Sequence, residues 1–261
     1  MPASEQLDVL PLWALSIVLF VANLLFDECG FRMGRRLRRE PRKESDTTVG
    51  AVVAAELGLL AFLLAFTFGI VASRFDVRRH MVLDEANAIG TTYLRASMLP
   101  EAESESIRGL LRDYADVRLE ATTGTPIDEI LRRSDQIHQQ LWNEAVAAAA
   151  HDPKSVPAGL FIQSLNELID LHASRLMAAV RSRMPLAVWV VLFAVGLLAF
   201  FTIGYQAGLT TATRSPAVIV LALTFGAVIW LVADLDRPGE GFLRISQEPM
   251  VAVRTMMSST P

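Results

Sequence analysis

The chain has a single cysteine, Cys29, and only four histidines. One cysteine excludes an intrachain disulfide and any multi-cysteine zinc site within one chain. Cys29 lies beside a membrane end and reads as an inert interfacial thiol. The sequence also lacks GxxxxGK[ST], GxSxG, HExxH and a GxGxxG following a strand, so an enzyme reading has no residues to stand on. Glu167, Asp170 and His172 come nearest to a metal set. Residues two apart do not share a helix face, so neither a metal nor a cofactor is expected. His80, His138 and His151 read as isolated, solvated or capping residues. The net charge of −4 supplies no field that would argue for nucleic acid. Strand-like alternation of Val, Ile and Thr is missing as well, which points to an all-α chain.

Long apolar runs are what the sequence has in abundance. Hydrophobic residues make up 52% of the 261 positions, and the mean hydropathy is +0.37. A bilayer core of about 30 Å takes roughly 20 apolar residues in helical form. Four runs fit: Val9 to Phe26, Val49 to Ser73, Pro185 to Tyr205 and Ala217 to Ala233. The first is interrupted by Pro11, Ser16 and Asn23, and Pro11 falls in its first turn, where a helix tolerates proline. The flank ahead of it carries Glu5 and Asp8 and no Lys or Arg, unlike a secretory leader. Behind it come Arg32, Arg35, Arg36, Arg38, Arg39, Arg42 and Lys43, which reads as a retained span with a cytoplasmic stop. The same rule places the 74–184 segment outside, although Arg74, Arg78, Arg79, Arg181 and Arg183 flank it with nearly equal charge.

The expected organisation is four transmembrane helices forming two hairpins on either side of a helical extramembrane domain. Its parts are 1–48 (first span and basic loop), 49–73 (second span), 74–184 (extramembrane domain), 185–235 (third and fourth spans) and 236–261 (tail). Within 74–184, helical faces recur: Val82, Ala86, Ile89 and Tyr93; Ile107, Leu110, Leu111, Tyr114 and Val117; Ile127, Ile130, Leu131, Ile137 and Leu141; Phe161, Leu165, Leu168, Ile169, His172 and Leu176. Pro100 ends the first of these helices. Thr125 and Pro126 suit the N-cap and first position of the third. No breaker separates the second span from the Val82 helix, so one long helix is expected there.

Four sets of residues are candidates for chemistry. Glu56 is the sole charge inside a span, and reads equally as an ion site or as a side chain snorkelling to the interface. Phe62, Phe66 and Ile70 recur every four residues and could form an apolar constriction or simply pack against lipid. Glu85, Asn87, Thr91 and Arg95, with Asn166 and Asp170, suit a polar network across helices or an ion-coordinating vestibule. After the fourth span, Asp234 and Asp236 oppose the helix dipole. They fit an ion pair with Arg237 or, together with Glu240, a cation site.

The segment Arg78-Arg79, then Glu85-Ala86-Asn87-Ala88-Ile89-Gly90-Thr91 and Leu94-Arg95, resembles the signature of the bestrophin-like family of bacterial membrane proteins. So do Leu165-Asn166-Glu167 with Ile169-Asp170, and Asp234-Leu235-Asp236-Arg237-Pro238 with Ser246-Gln247. The resemblance implies a multi-pass protein of the bacterial inner membrane, distantly related to pentameric anion or cation channels. It further implies lipid and inorganic ions as partners and a second span lining the pore through Phe62, Phe66 and Ile70. Its middle region would be cytosolic. A non-conducting scaffold or sensor, whose helical domain binds a partner, is the alternative.

Overall fold

The computed structural model describes residues 11–38, 46–121, 124–181, 183–210, 215–237 and 241–259. Arg39, Arg42, Lys43, Pro238 and Glu240 lie outside the described residues, as do Glu5 and Asp8. The described residues form eight helices and no strand. They are α1 (Leu12–Leu37), α2 (Asp46–Ala96), α3 (Glu101–Glu120), α4 (Ile127–His151), α5 (Val156–Arg181), α6 (Leu186–Leu209), α7 (Ala217–Asp236) and α8 (Glu248–Ser259). Four of these, α1, α2, α6 and α7, are long and apolar enough to cross a membrane.

Proline sets many of the helix starts. Pro11, Pro100, Pro126, Pro185 and Pro216 sit at the N-caps of α1, α3, α4, α6 and α7. A proline there forgoes only an N–H that the first turn would leave unsatisfied, and its fixed φ suits entry into a helix. Pro126 therefore takes the cap position expected of Thr125, and α4 begins one residue later. The second span runs on through Arg74 without interruption, so α2 is 51 residues long. α1 likewise continues past its apolar run to include Arg32, Arg35 and Arg36.

The chain divides into two compact units, and the boundary falls within α2, between Phe75 and Asp76. The first unit comprises Met1–Phe75 and Arg183–Leu243. Its core is built from Leu15 and Leu19 on α1, Leu60 and Val71 on α2, Trp189, Leu192 and Phe200 on α6, and Phe225 and Ile229 on α7. Two glycine pairs hold α1 against α6. A β-carbon on Gly30 would come within 1.9 Å of the Phe201 carbonyl oxygen, and one on Gly34 within 2.3 Å of that of Tyr205. The approach is reciprocal: a β-carbon on Gly204 would come within 1.9 Å of the Asp27 carbonyl oxygen, and one on Gly208 within 2.3 Å of that of Phe31. Both helices thus present a G-x-x-x-G face, which lets backbones pack directly in a membrane, where apolar burial gives no drive for association.

The second unit comprises Asp76–Ser182 and Arg244–Pro261. Ile89 and Tyr93 of α2, Ile107, Leu111 and Tyr114 of α3, Ile130 and Leu141 of α4, Phe161, Leu165 and Leu168 of α5, and Met250 and Met257 of α8 fill one core. α8 is tied to α3 by Arg254, whose Nε and Nη2 donate to the two carboxylate oxygens of Asp116 at 2.6 and 3.0 Å. The Tyr93 hydroxyl donates to the Met257 carbonyl at 2.9 Å and accepts from Arg108 and Arg112 at 2.8 and 2.7 Å. Both guanidinium groups also lie over the Tyr93 ring, an arrangement favoured by the ring quadrupole.

Candidate functional site

The membrane unit and the second unit each contain one group of residues capable of chemistry. On α2, Val53, Leu60, Thr67 and Val71 form the buried stripe. Phe62 and Phe66 fall on the opposite side and are 65% and 62% exposed on the single chain. Their rings stack at 6.3 Å with nearly parallel planes. Ile70, next in the row, is half-buried because it turns toward the edge of the packed face. Glu56 is also half-buried and accepts a hydrogen bond from the Thr202 hydroxyl of α6. The single charge of the span is thereby met within the chain, as polar groups at membrane depth require.

The second group centres on Glu85, which is fully buried. It arrives there because α2 turns one face inward at Val82, Glu85, Ala86 and Ile89. The Tyr114 hydroxyl of α3 donates to its Oε1 at 2.5 Å. Arg175 of α5 donates to its Oε2. Arg118 of α3 has its Nε 3.1 Å from Oε1 and donates through Nη2 to Oε2 at 3.5 Å. The Nε contact is poorly aligned for a hydrogen bond and acts as charge pairing. Burial alone would raise the Glu85 pKa; His172, the Arg118 and Arg175 charges and Tyr114 reverse this and hold it far below the usual carboxylate range. Burial and the neighbouring carboxylate push the Tyr114 phenol well above its ordinary value. Glu85 is therefore ionised and Tyr114 is the donor between them.

That proton count fixes the next link. The Tyr114 oxygen lies 2.9 Å from Nδ1 of His172. Its only proton is already directed at Glu85, so Nδ1 of His172 carries the proton and donates to the phenol oxygen. His172 in turn packs edge-on against His138 of α4, their ring centroids 4.8 Å apart. His138 is only 8% exposed and its Nε2 has no hydrogen-bond partner among the described residues. It is buried rather than solvated or capping, because Tyr114 and His172 close over it.

Of the polar set expected from the sequence, the structure brings Glu85 alone inside. Asn87 and Thr91, one turn apart on α2, are exposed and line a groove of about 520 Å³ with Leu83, Gly90, Pro249 and Met256. Arg95 donates to the Leu160 carbonyl at 2.8 Å. Asn166 and Asp170 are exposed, because Leu165, Leu168 and His172 take the inward face of α5. The partners that Glu85 finds, Tyr114, Arg118, His172 and Arg175, come from α3 and α5. Apolar periodicity marks Tyr114 and His172 as inward-facing, but it does not pair them.

At the end of α7 the acids serve the backbone. Asp234 accepts the N–H groups of Phe242 and Leu243 at 2.9 and 3.0 Å, and Asp236 accepts that of Met184 at 3.2 Å. Gly241 makes the first arrangement possible: its φ is +107°, and a β-carbon there would fall 1.8 Å from Asp234. With N–H donors on both carboxylates, the structure gives Asp234 and Asp236 a chain-tying role. Arg237 is buried beside them.

Burial, first, and then the neighbouring His172 and Arg118 lower the His138 pKa to about 4, against an opposing pull from Glu85. The phenol of Tyr114 and the carboxylate of Asp135 also face it. With the folded value below the ordinary 6.5, the unfolded chain binds more protons between the two. Stability is therefore complete above about pH 6.5 and falls as pH drops toward 4. The expected loss is on the order of 2–3 kcal/mol for a shift of this size. Urea titrations at pH 7.5 and 4.5 in the presence of EDTA should show it, and His138→Gln should flatten the slope between them.

A family model described as the Bestrophin-like domain matches residues 16–250. Among curated proteins there is no match. Among solved structures, the chain resembles a point mutant of a bacterial bestrophin homologue from Klebsiella pneumoniae, with a TM-score of 0.71 and 15% identity. The alignment covers 94% of this chain and 99% of that one. A second mutant of the same homologue aligns with a TM-score of 0.67 and 13% identity, over 92% of this chain and 97% of the other.

Proposed function

Because the chain belongs to the bestrophin-like family, we propose that it is a homo-oligomeric ion channel of the bacterial inner membrane, with α2 lining a central pore. In this reading α1 with α2, and α6 with α7, form two hairpins in the bilayer, and the 74–184 segment lies outside it. The observation that carries the proposal is the stacked pair Phe62 and Phe66, turned away from the chain's own core. In a ring of identical subunits, a row of bulky apolar side chains facing the axis makes a dewetting constriction. Ile70 continues the row, and the Glu56–Thr202 bond fixes α2 against α6 near one end of it.

Flux into liposomes tests this. Reconstituted protein should pass ions down a KCl gradient, and Phe66→Ala should raise the flux severalfold by widening the constriction. A silent wild type under both potassium and chloride gradients would sink the channel reading. Native mass spectrometry should show a ring, with a pentamer expected; a monomer would sink it too.

A scaffold or sensor is the second reading, favoured by the Glu85 network. Its charges are paired inside one bundle and present no row of open ligands. A stable monomer or dimer with no flux would select it.

A further inference from the structure

We propose that Asp135, His138 and His172 form a binding site for a divalent transition-metal ion of the zinc class. One ligand atom from each of the three lies within 4.8 Å of the others. Asp135 and His138 are three residues apart on α4, so they share a face, and His172 meets them from α5. A tetrahedral ion with bonds of about 2.0–2.1 Å needs donors closer than this. The exposed Asp135 side chain can swing to close the gap without disturbing the core.

Two further observations point to a ligand. His138 is nine-tenths buried, yet its Nε2 has no hydrogen-bond partner among the described residues. A buried nitrogen left so is costly, and a metal ion would satisfy it. His172 is already oriented as metal-bound histidines are: its Nδ1–H is held by Tyr114, which is held by Glu85. Such an outer chain fixes the ring's orientation and leaves Nε2 as the nitrogen available to a metal. Two imidazoles and one carboxylate suit Zn²⁺, Co²⁺ or Ni²⁺, whereas Ca²⁺ and Mg²⁺ favour all-oxygen cages. Three protein ligands leave a fourth position for water or for a ligand from elsewhere. A bound ion would join α4 to α5 and, through Tyr114 and Glu85, to α3 and α2. The site stands independently of whether the chain conducts.

Cobalt(II) tests the proposal on full-length protein in detergent, stripped with EDTA. Visible absorption of tetrahedral intensity should grow to saturation at one Co²⁺ per chain and vanish when Zn²⁺ is added. Asp135→Asn alters an exposed residue and should leave the circular dichroism unchanged. It should weaken binding by about tenfold or more, a loss that even partners outside the ligand shell can produce. Asp135→His should retain binding, His138→Gln should abolish it and His151→Gln should leave it unchanged. A spectrum that stays weak and octahedral throughout overturns the site, as does equal Co²⁺ affinity in wild type, Asp135→Asn and His138→Gln.

Discussion

Glu85→Ala is expected to lower the unfolding free energy by about 3–5 kcal/mol, the range for removing one partner of a buried ion pair. The size follows from what the substitution leaves behind. Arg118 is buried and Arg175 largely so, and both direct their charge at the Glu85 carboxylate. Alanine removes the only negative charge in contact with that pair among the described residues, while Tyr114 loses its acceptor. Urea unfolding in detergent, followed by circular dichroism, measures the loss. Glu85→Leu combined with Arg118→Leu should recover part of it, because an apolar pair avoids desolvating charge. A loss below about 1 kcal/mol in Glu85→Ala would mean that the arginines escape to water and that the network is a surface one. The pH dependence has a definite sign. Glu85 is ionised in the fold far below the ordinary carboxylate value of 4.5. Its contribution is therefore full above about pH 4.5 and is lost as pH falls below it. The difference between wild type and variant should be constant from pH 7 to 5 and should shrink in stronger acid.

What the sequence reveals of this protein, and what it hides, divides by distance along the chain. The four spans are legible because each is a single continuous run whose length can be compared with a bilayer. The continuity of α2 through Arg74 is legible for the same local reason: nothing between Val49 and Ala96 breaks a helix. Pro100, Pro126 and Pro185 mark boundaries where a missing N–H can be tolerated. The Glu85 site is different. Its members lie 29 to 90 residues from Glu85, on two other helices, α3 and α5. Periodicity says only that Tyr114 and His172 turn inward, and it counts them as packing. The charged partners look like ordinary surface arginines until the fold brings them together. His138 reads as isolated because its neighbours are His172 and Tyr114, neither of them near it in sequence. The glycine pairs fall between these cases. Gly30-x-x-x-Gly34 and Gly204-x-x-x-Gly208 are both written plainly. That they face each other across α1 and α6 needs the three-dimensional arrangement.

That crossing supplies the second large effect. Gly204→Ala is expected to destabilise the membrane unit by about 3 kcal/mol or more, at the upper end for overpacking. The added carbon would lie 1.9 Å from the Asp27 carbonyl oxygen and 2.7 Å from its carbon. Those atoms are backbone and cannot turn aside as a side chain would, so α1 and α6 must separate along their whole contact. Gly226→Ala is the control: it lies in the same unit, on α7, with nothing within 4 Å of the new carbon. It should be neutral or slightly stabilising, by up to about 1 kcal/mol, because alanine is the better helix former. Thermal unfolding in detergent should therefore separate two chemically identical changes by several degrees. Equal melting temperatures would show that α1 and α6 are not in backbone contact. The double variant Gly30→Ala with Gly204→Ala sharpens the test, since both act on one crossing. Once the first change has moved the helices apart, the second adds little, and the pair should cost clearly less than the sum of the singles. Thr202 lies two residues from Gly204 and donates to Glu56. A displaced α6 would therefore also release α2 at that point, and in the channel reading Gly204→Ala should alter flux as well as stability.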